Sequence, residues 1–173
     1  MDGGGSHMLI QLSVLACLEE DTGISTYDLF DMIAGSSSGG LITCLILGHS
    51  MSAQQIIQMI LQEKLLGKMM TKSWASPLLN KLQIRPKYKG NTKSLTLRNV
   101  LGNLRLSSLS KRLLIPCFNL NQDCLEIFTN DYQPNFLLSE IADACTAAPS
   151  YYPPVQLEDG NWYIDGGIGM NNP

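Results

Sequence analysis

Apolar residues recur at helical spacing from Leu9 to Glu20, where Leu9, Leu12, Leu15, Ala16 and Cys17 share one face. The acidic end of that stretch and Thr22-Gly23 predict a stop at the glycine. Phe30 to Ala34 is a short apolar run between Asp28 and Gly35 and suits a buried strand. Leu41 to Leu47 is apolar almost all round, which a helix shows only inside a core. Ser52 is placed to cap a further helix, Ala53 to Leu66. Periodicity then fades: Pro77, Pro86 and Gly90 predict short helices and loops from Gly67 to Ser110. Strands follow at Leu113 to Leu120 and Leu125 to Thr129, flanking the polar turn Asn121-Gln122-Asp123. A helix from Leu137 to Ala148 stops at Pro149, and Tyr163 and Ile164 enter a last short strand ending on Asp165-Gly166-Gly167. Strands alternating with helices predict an α/β fold with a largely parallel sheet.

The chain of 173 residues, 45% hydrophobic, is long enough to bury one sizeable core, so residues 1–173 are expected to form one domain. Its longest apolar stretch near the middle, Leu41 to Gly48, is far short of the about 20 residues that cross a bilayer. The start, Met-Asp-Gly-Gly-Gly, lacks the basic and long apolar regions of a secretory signal, so a cytoplasmic location is expected. Cys17, Cys44, Cys117, Cys124 and Cys145 are odd in number and form no metal-ligand spacing; they read as reduced, mostly buried thiols. No cofactor or metal is called for.

Charge changes the picture through its distribution. All 12 Lys and Arg fall between Lys64 and Arg112, a stretch without Asp or Glu, while the 15 acidic residues lie outside it. One reading is a solvated connection; the sharper one is a patch for an anionic membrane surface, at about 1 kcal/mol per basic residue. Nucleic acid is not expected, because only Trp74 and Tyr88 interleave aromatic rings with these charges.

Gly35-Ser36-Ser37-Ser38-Gly39 fits G-x-S-x-G, and of its three serines only Ser37 has glycine two positions away on both sides. Between a strand and a buried helix, such glycines permit the sharp turn that raises a serine above a sheet, and the helix N-terminus then faces the developing oxyanion. Alone, the motif is also what a serine-rich turn would give. A serine nucleophile needs a base. The chain has only His7 and His49, and His49 sits at the far end of the helix that Ser37 begins, about 18 Å away at 1.5 Å per residue. A Ser-His-Asp triad is therefore disfavoured, and a carboxylate is the available base. Asp165 is the best placed candidate, although an Asp before Gly-Gly is also a common turn. Asp2-Gly3-Gly4-Gly5 offers unobstructed amides to an anion, and by itself fits a flexible terminus or a phosphate loop equally well.

In order along the chain, Asp2-Gly3-Gly4-Gly5, Gly35-Ser36-Ser37-Ser38-Gly39-Gly40, the Thr146 to Pro154 segment and Asp165-Gly166-Gly167 leading to Asn171-Asn172-Pro173 resemble the landmarks of patatin-like phospholipases. The resemblance implies a three-layer α/β sandwich and a lipid acyl hydrolase of phospholipase A or lysophospholipase type, acting on glycerolipid or phospholipid through an acyl-enzyme. It implies Ser37 as nucleophile, Asp165 as base, and the amides of Gly3, Gly4 and Gly5 as the oxyanion hole; by analogy with other nucleophile elbows, the Ser38 amide joins them. The family pattern Asp-Gly-Gly-Gly-x-Arg-Gly is broken here at His7 and Met8, and against that pattern the chain stops short at both ends, with one residue before Asp2 and none after Pro173. These departures keep open a second reading, a catalytically impaired module of the same fold that binds lipid or a membrane surface.

Overall fold

The computed structural model describes residues 1–72, 86–131 and 135–173; Trp74, Pro77, Lys81 and Arg85 lie outside them. Helix α1 (Met8–Thr22) buries Met8 and Leu12 and ends on Gly23, whose left-handed conformation, φ 68°, brings its amide onto the Glu19 carbonyl. A single turn, α2 (Thr26–Leu29), leads into β1 (Met32–Ala34). Helix α3 (Ser38–His49) is buried from Ser38 to Leu47, as its uniform apolarity predicts. Ser52 caps α4 (Ala53–Leu61) in a full capping box with Gln55, but the helix does not run on to Leu66. It ends instead, and a short α5 (Leu65–Met69) begins after Lys64, whose φ of 54° no helix interior accepts.

Helix α6 (Gly90–Leu101) is a regular helix within the stretch predicted as loops and short helices. It is held there because Lys93, Leu97 and Leu101 recur at four-residue spacing and all enter the core. Strands β2 (Arg112–Asn119) and β3 (Cys124–Thr129) form a hairpin, followed by α7 (Leu138–Cys145), β4 (Val155–Gln156) and β5 (Trp162–Asp165).

β2 is the spine of the sheet. β3 pairs antiparallel with one edge of it, over residues 114–119. Along the other edge β1 runs parallel to residues 112–114 and β5 antiparallel to residues 117–119, so two strands share an edge and end facing each other. β4 adds to β5, again antiparallel. The α/β class therefore holds, with a mixed sheet, and the expectation of a largely parallel one is corrected: only the β1–β2 pairing is parallel among the described residues. The helical crossover from β1 to β2 gives that pairing, whereas the tight β2–β3 turn and the return of β5 force antiparallel neighbours.

The break between β1 and β5 also accounts for a proline inside the central strand. The Arg112 amide and the Leu114 carbonyl bond toward β1, so by two-residue alternation Pro116 faces the break, where no neighbouring strand needs its missing N–H. Leu113, Ile115, Cys117 and Asn119 point to the other pleat face and are fully buried. Helices α3 and α7 cover that face: a Cβ on Gly40 of α3 would touch both Cys145 of α7 and Ile115 of β2. Leu114 and Phe118, on the opposite face, are half-buried. No helix among the described residues is long and apolar enough to cross a membrane.

Candidate active site

The residue joining β1 to α3 is Ser37, held at φ 51° and ψ −120°, a strained conformation for any side-chain-bearing residue. Its neighbours explain how the strain is maintained. The Gly35 amide completes the sheet by donating to the Leu114 carbonyl, and the Gly39 amide turns back to the Ser36 carbonyl at 2.8 Å. A Cβ on Gly35 would lie 2.3 Å from the Gly39 carbonyl oxygen, and one on Gly39 would lie 2.5 Å from the Met1 carbonyl oxygen. Both glycines are therefore fixed by backbone packed on backbone, which cannot move aside. Ser38 opens α3, so its amide is among those with no partner within the helix.

Across the break in the sheet, β5 delivers Asp165 opposite Cys117, three positions along β2 from the Leu114 that faces Ala34. The Ser37 hydroxyl donates to Asp165 Oδ2 at 2.5 Å, and Asp165 Oδ1 accepts from the Gly167 amide at 2.9 Å. The two expected residues thus meet across 128 positions of chain. The Asp165 amide is anchored on the Ala147 carbonyl at 3.1 Å. Asp165 is 5% exposed. Burial pushes its pKa above the usual carboxylate value, opposed by the Ser37 hydroxyl, the Gly167 amide and the positive charge of Lys93. The result is a carboxylate with an enhanced affinity for the proton it is already sharing.

The glycine loop divides its labour. The Gly3 amide donates to the Asn171 carbonyl at 3.1 Å and so fastens the loop to the Asn-Asn-Pro segment. The Gly4 amide meets Ser38 Oγ at 3.2 Å, and Gly5 adopts a left-handed φ of 57°. Gly4, Gly5, Ser37 and Ser38 all line one cavity. Neither histidine bonds Ser37: His7 is exposed and packs beside Gly4, and His49 meets the Val100 carbonyl through Nε2.

The cavity above Ser37 has a volume of about 390 Å³. Its lining includes the apolar Met8, Leu41, Leu66, Met69 and Met70 together with Thr146, Tyr88, Tyr151 and Tyr152. Met69, Met70 and Tyr88 were not anticipated in this lining, because they come from the stretch whose periodicity fades. Lys93 was missed too, although its spacing with Leu97 and Leu101 marks it as inward-facing. All five cysteines are free; Cys44, Cys117 and Cys145 are buried, with thiol pKa values driven up by burial, while Cys17 and Cys124 are exposed. The Cys145 thiol lies 3.7 Å from the Ser37 carbonyl oxygen. Among the described residues no cluster of His, Cys, Asp and Glu is arranged to hold a metal.

Comparison with known proteins gives a consistent result. The family model described as patatin-like phospholipase matches residues 1–173. The chain is 31% identical to patatin-like protein 4 of Arabidopsis thaliana over 196 residues, covering all of this chain and 49% of that protein. It is 28% identical to a cGAMP-activated phospholipase of Escherichia coli strain TW11681, covering all of this chain and 52% of that one. The chain thus spans about half the length of these curated relatives. Its fold is shared with VipD from Legionella pneumophila, at a TM-score of 0.61 and 15% identity over 99% of this chain and 46% of that one.

Proposed function

The chain belongs to the patatin-like phospholipase family, and from that premise we propose that it hydrolyses acyl esters of glycerolipids, phospholipid or lysophospholipid, with Ser37 as nucleophile and Asp165 as base. The observation that carries this reading is the 2.5 Å hydrogen bond from Ser37 to the buried Asp165 carboxylate at the floor of an apolar cavity. Asp165 takes the hydroxyl proton as Ser37 Oγ attacks the ester carbonyl, then returns it to the departing alcohol oxygen and leaves an acyl-enzyme. It next draws a proton from water, which attacks the acyl carbon and frees Ser37. The amides of Gly4, Gly5 and Ser38 surround the place where the oxyanion forms. Met8, Leu41, Leu66, Met69 and Met70 receive the acyl chain, at about 0.8 kcal/mol for each methylene buried.

The basic segment supports a narrower version of the membrane reading. Lys93, Arg105 and Arg112 pair with Asp143, Glu158 and Asp131, and Lys111 is bound to the Tyr27 and Phe30 carbonyls. Lys64, Lys68, Lys72, Lys87 and Lys89 are exposed and carry no ion pair among the described residues. They flank the cavity wall in sequence, and Lys87 lies over the rings of Tyr88 and Tyr151. These lysines would hold the cavity mouth against an anionic lipid surface.

A fluorophosphonate probe tests the chemistry. Labelling of Ser37, lost in Ser37→Ala and accompanied by fatty-acid release from phospholipid vesicles, is the expected result. Folded protein that binds vesicles, resists the probe and releases no fatty acid would overturn it in favour of a lipid-binding module, the reading that His7 in the family's arginine position supports.

A further inference from the structure

Lys93 is fully buried, and no other lysine or arginine among the described residues is in the core. An ammonium placed there loses several kcal/mol of hydration unless every proton finds a partner. All three do. Nζ lies 2.9 Å from Asp143 Oδ1, donates to the Asp143 carbonyl at 2.7 Å and to Thr146 Oγ1 at 3.3 Å, and sits 4.4 Å from the centre of the Tyr152 ring. Thr146 Oγ1 in turn donates to the Ala142 carbonyl at 2.7 Å. Two carbonyls left open at the end of α7 are thus closed, one by Lys93 and one by a hydroxyl that Lys93 orients.

The chain leaving α7 forms the catalytic floor. Thr146 and Ala148 line the cavity, and the Ala147 carbonyl between them holds the Asp165 amide. The ion pair is also oriented. Asp143 lines a separate polar cleft of about 300 Å³ with Arg98 and Glu140, whereas the ammonium reaches Thr146 and Tyr152, which line the cavity of Ser37.

We propose that Lys93 is a positioning residue for the Ser37–Asp165 pair, fixing the turn on which Asp165 hangs and presenting the positive end of a buried Lys93–Asp143 dipole to the dyad. It rests on the proposed acyl-hydrolase reading only for its kinetic consequence. The groups acting on the Asp165 carboxylate are the Ser37 hydroxyl, the Gly167 amide and Lys93 from α6, the cation among them; the Asp165 charge in turn helps to raise the buried thiols of Cys117 and Cys145. Its charge opposes the effect of burial on Asp165.

The test replaces the pair with apolar residues, Lys93→Met with Asp143→Leu, because a buried ion pair exchanged for matched hydrophobes usually folds as well or better. Lys93→Met with Asp143→Asn serves as the second variant, keeping a polar partner for Ser94. Asp165 is titrated by its carboxyl carbon resonance, and turnover is followed on a soluble short-chain ester. A rise in the Asp165 midpoint is expected, with kcat down about ten- to a hundredfold and KM little changed, from loss of accurate placement. A folded variant with the wild-type midpoint, or with wild-type kcat, overturns the proposal and leaves Lys93 a packing element. Absence of turnover in the wild type would sink the hydrolase reading alone, since the Asp165 midpoint still decides this one.

Discussion

Gly35→Ala offers the most direct check on how Ser37 is held. Its new methyl carbon would lie 2.3 Å from the Gly39 carbonyl oxygen, 2.4 Å from the Gly39 carbonyl carbon and 2.6 Å from Thr43 Oγ1. Carbon and oxygen come into ordinary contact at about 3.3 Å, so β1 and the first turn of α3 must separate by about 1 Å. Two of the three obstructing atoms are backbone, and α3 is buried along most of its length, so no side-chain rotation relieves the clash. Overpacking of this kind costs about 1–3 kcal/mol, a loss of about 2–10 °C in melting temperature for a domain of this size. On the proposed reading the chemical cost is larger: a shift of about 1 Å in Ser37 is expected to lower the rate about a hundredfold. The assay is the second-order rate of fluorophosphonate labelling beside a thermal melt. Gly23→Ala is the control: it meets a left-handed φ of 68° but open space, so it is expected to lose about 1 kcal/mol with no change in labelling. A folded Gly35→Ala protein that labels within about threefold of wild type would refute the claim that backbone contact sets the turn.

Three further outcomes rest on the same geometry. Because burial raises the folded-state pKa of Asp165 above its unfolded value, its contribution to stability is complete below the unfolded value and lost as pH rises through the folded one. Asp165→Asn should therefore abolish ester turnover yet melt higher than wild type at pH 7, by a margin that shrinks in acid. In the wild type, kcat should fall on the acid side at a pH above the ordinary aspartate range, as the base becomes protonated. The three consecutive serines should separate cleanly by alanine substitution. Ser37→Ala loses all labelling. Ser36→Ala keeps it with equal or slightly higher stability, since Ser36 Oγ is buried without a partner among the described residues. Ser38→Ala folds but labels more slowly, because Ser38 Oγ meets the Gly4 amide. Finally, changing Lys68, Lys72, Lys87 and Lys89 to Glu should weaken binding to anionic vesicles, measured by co-sedimentation, and leave hydrolysis of a soluble short-chain ester intact.

The meeting of Ser37 with Asp165 was legible because both sit where glycine is sterically required. Gly35 and Gly39 bracket Ser37, and Gly166 follows Asp165 at a point where a Cβ would fall 2.3 Å from the Pro116 carbonyl oxygen. Such positions leave a trace in the sequence that no tertiary accident can hide. The core helix α3 was equally plain from its uniform apolarity. Strand direction was not, since local patterning records which face is buried and says nothing of which neighbour a strand finds; hence β5 was read into a parallel sheet and lies antiparallel. Gly3 looked like its two neighbours, and only the position of Asn171 shows that its amide is already engaged. Lys93 was concealed by company: a cation inside a run of cations reads as solvated surface, although its place four residues before Leu97 argued otherwise.

Two strands ending on one edge of β2 make that strand a ruler. The span between Ser37 and Asp165 is set by a count of positions, Leu114 for β1 and Cys117 for β5, and by nothing in the long connections that bring those strands back. Those connections carry the cavity wall and the exposed lysines. On the proposed reading, chemistry and selectivity are therefore written in separable parts of the chain. Lengthening or exchanging the segments around Leu66 to Tyr88, or Tyr151 and Tyr152, would reshape the cavity without resetting Ser37 and Asp165, whereas removing one residue from β2 between Leu114 and Cys117 would turn the Asp165 position to the opposite face of the sheet. A scaffold divided in this way lends itself to diversification by loop replacement, in nature and at the bench.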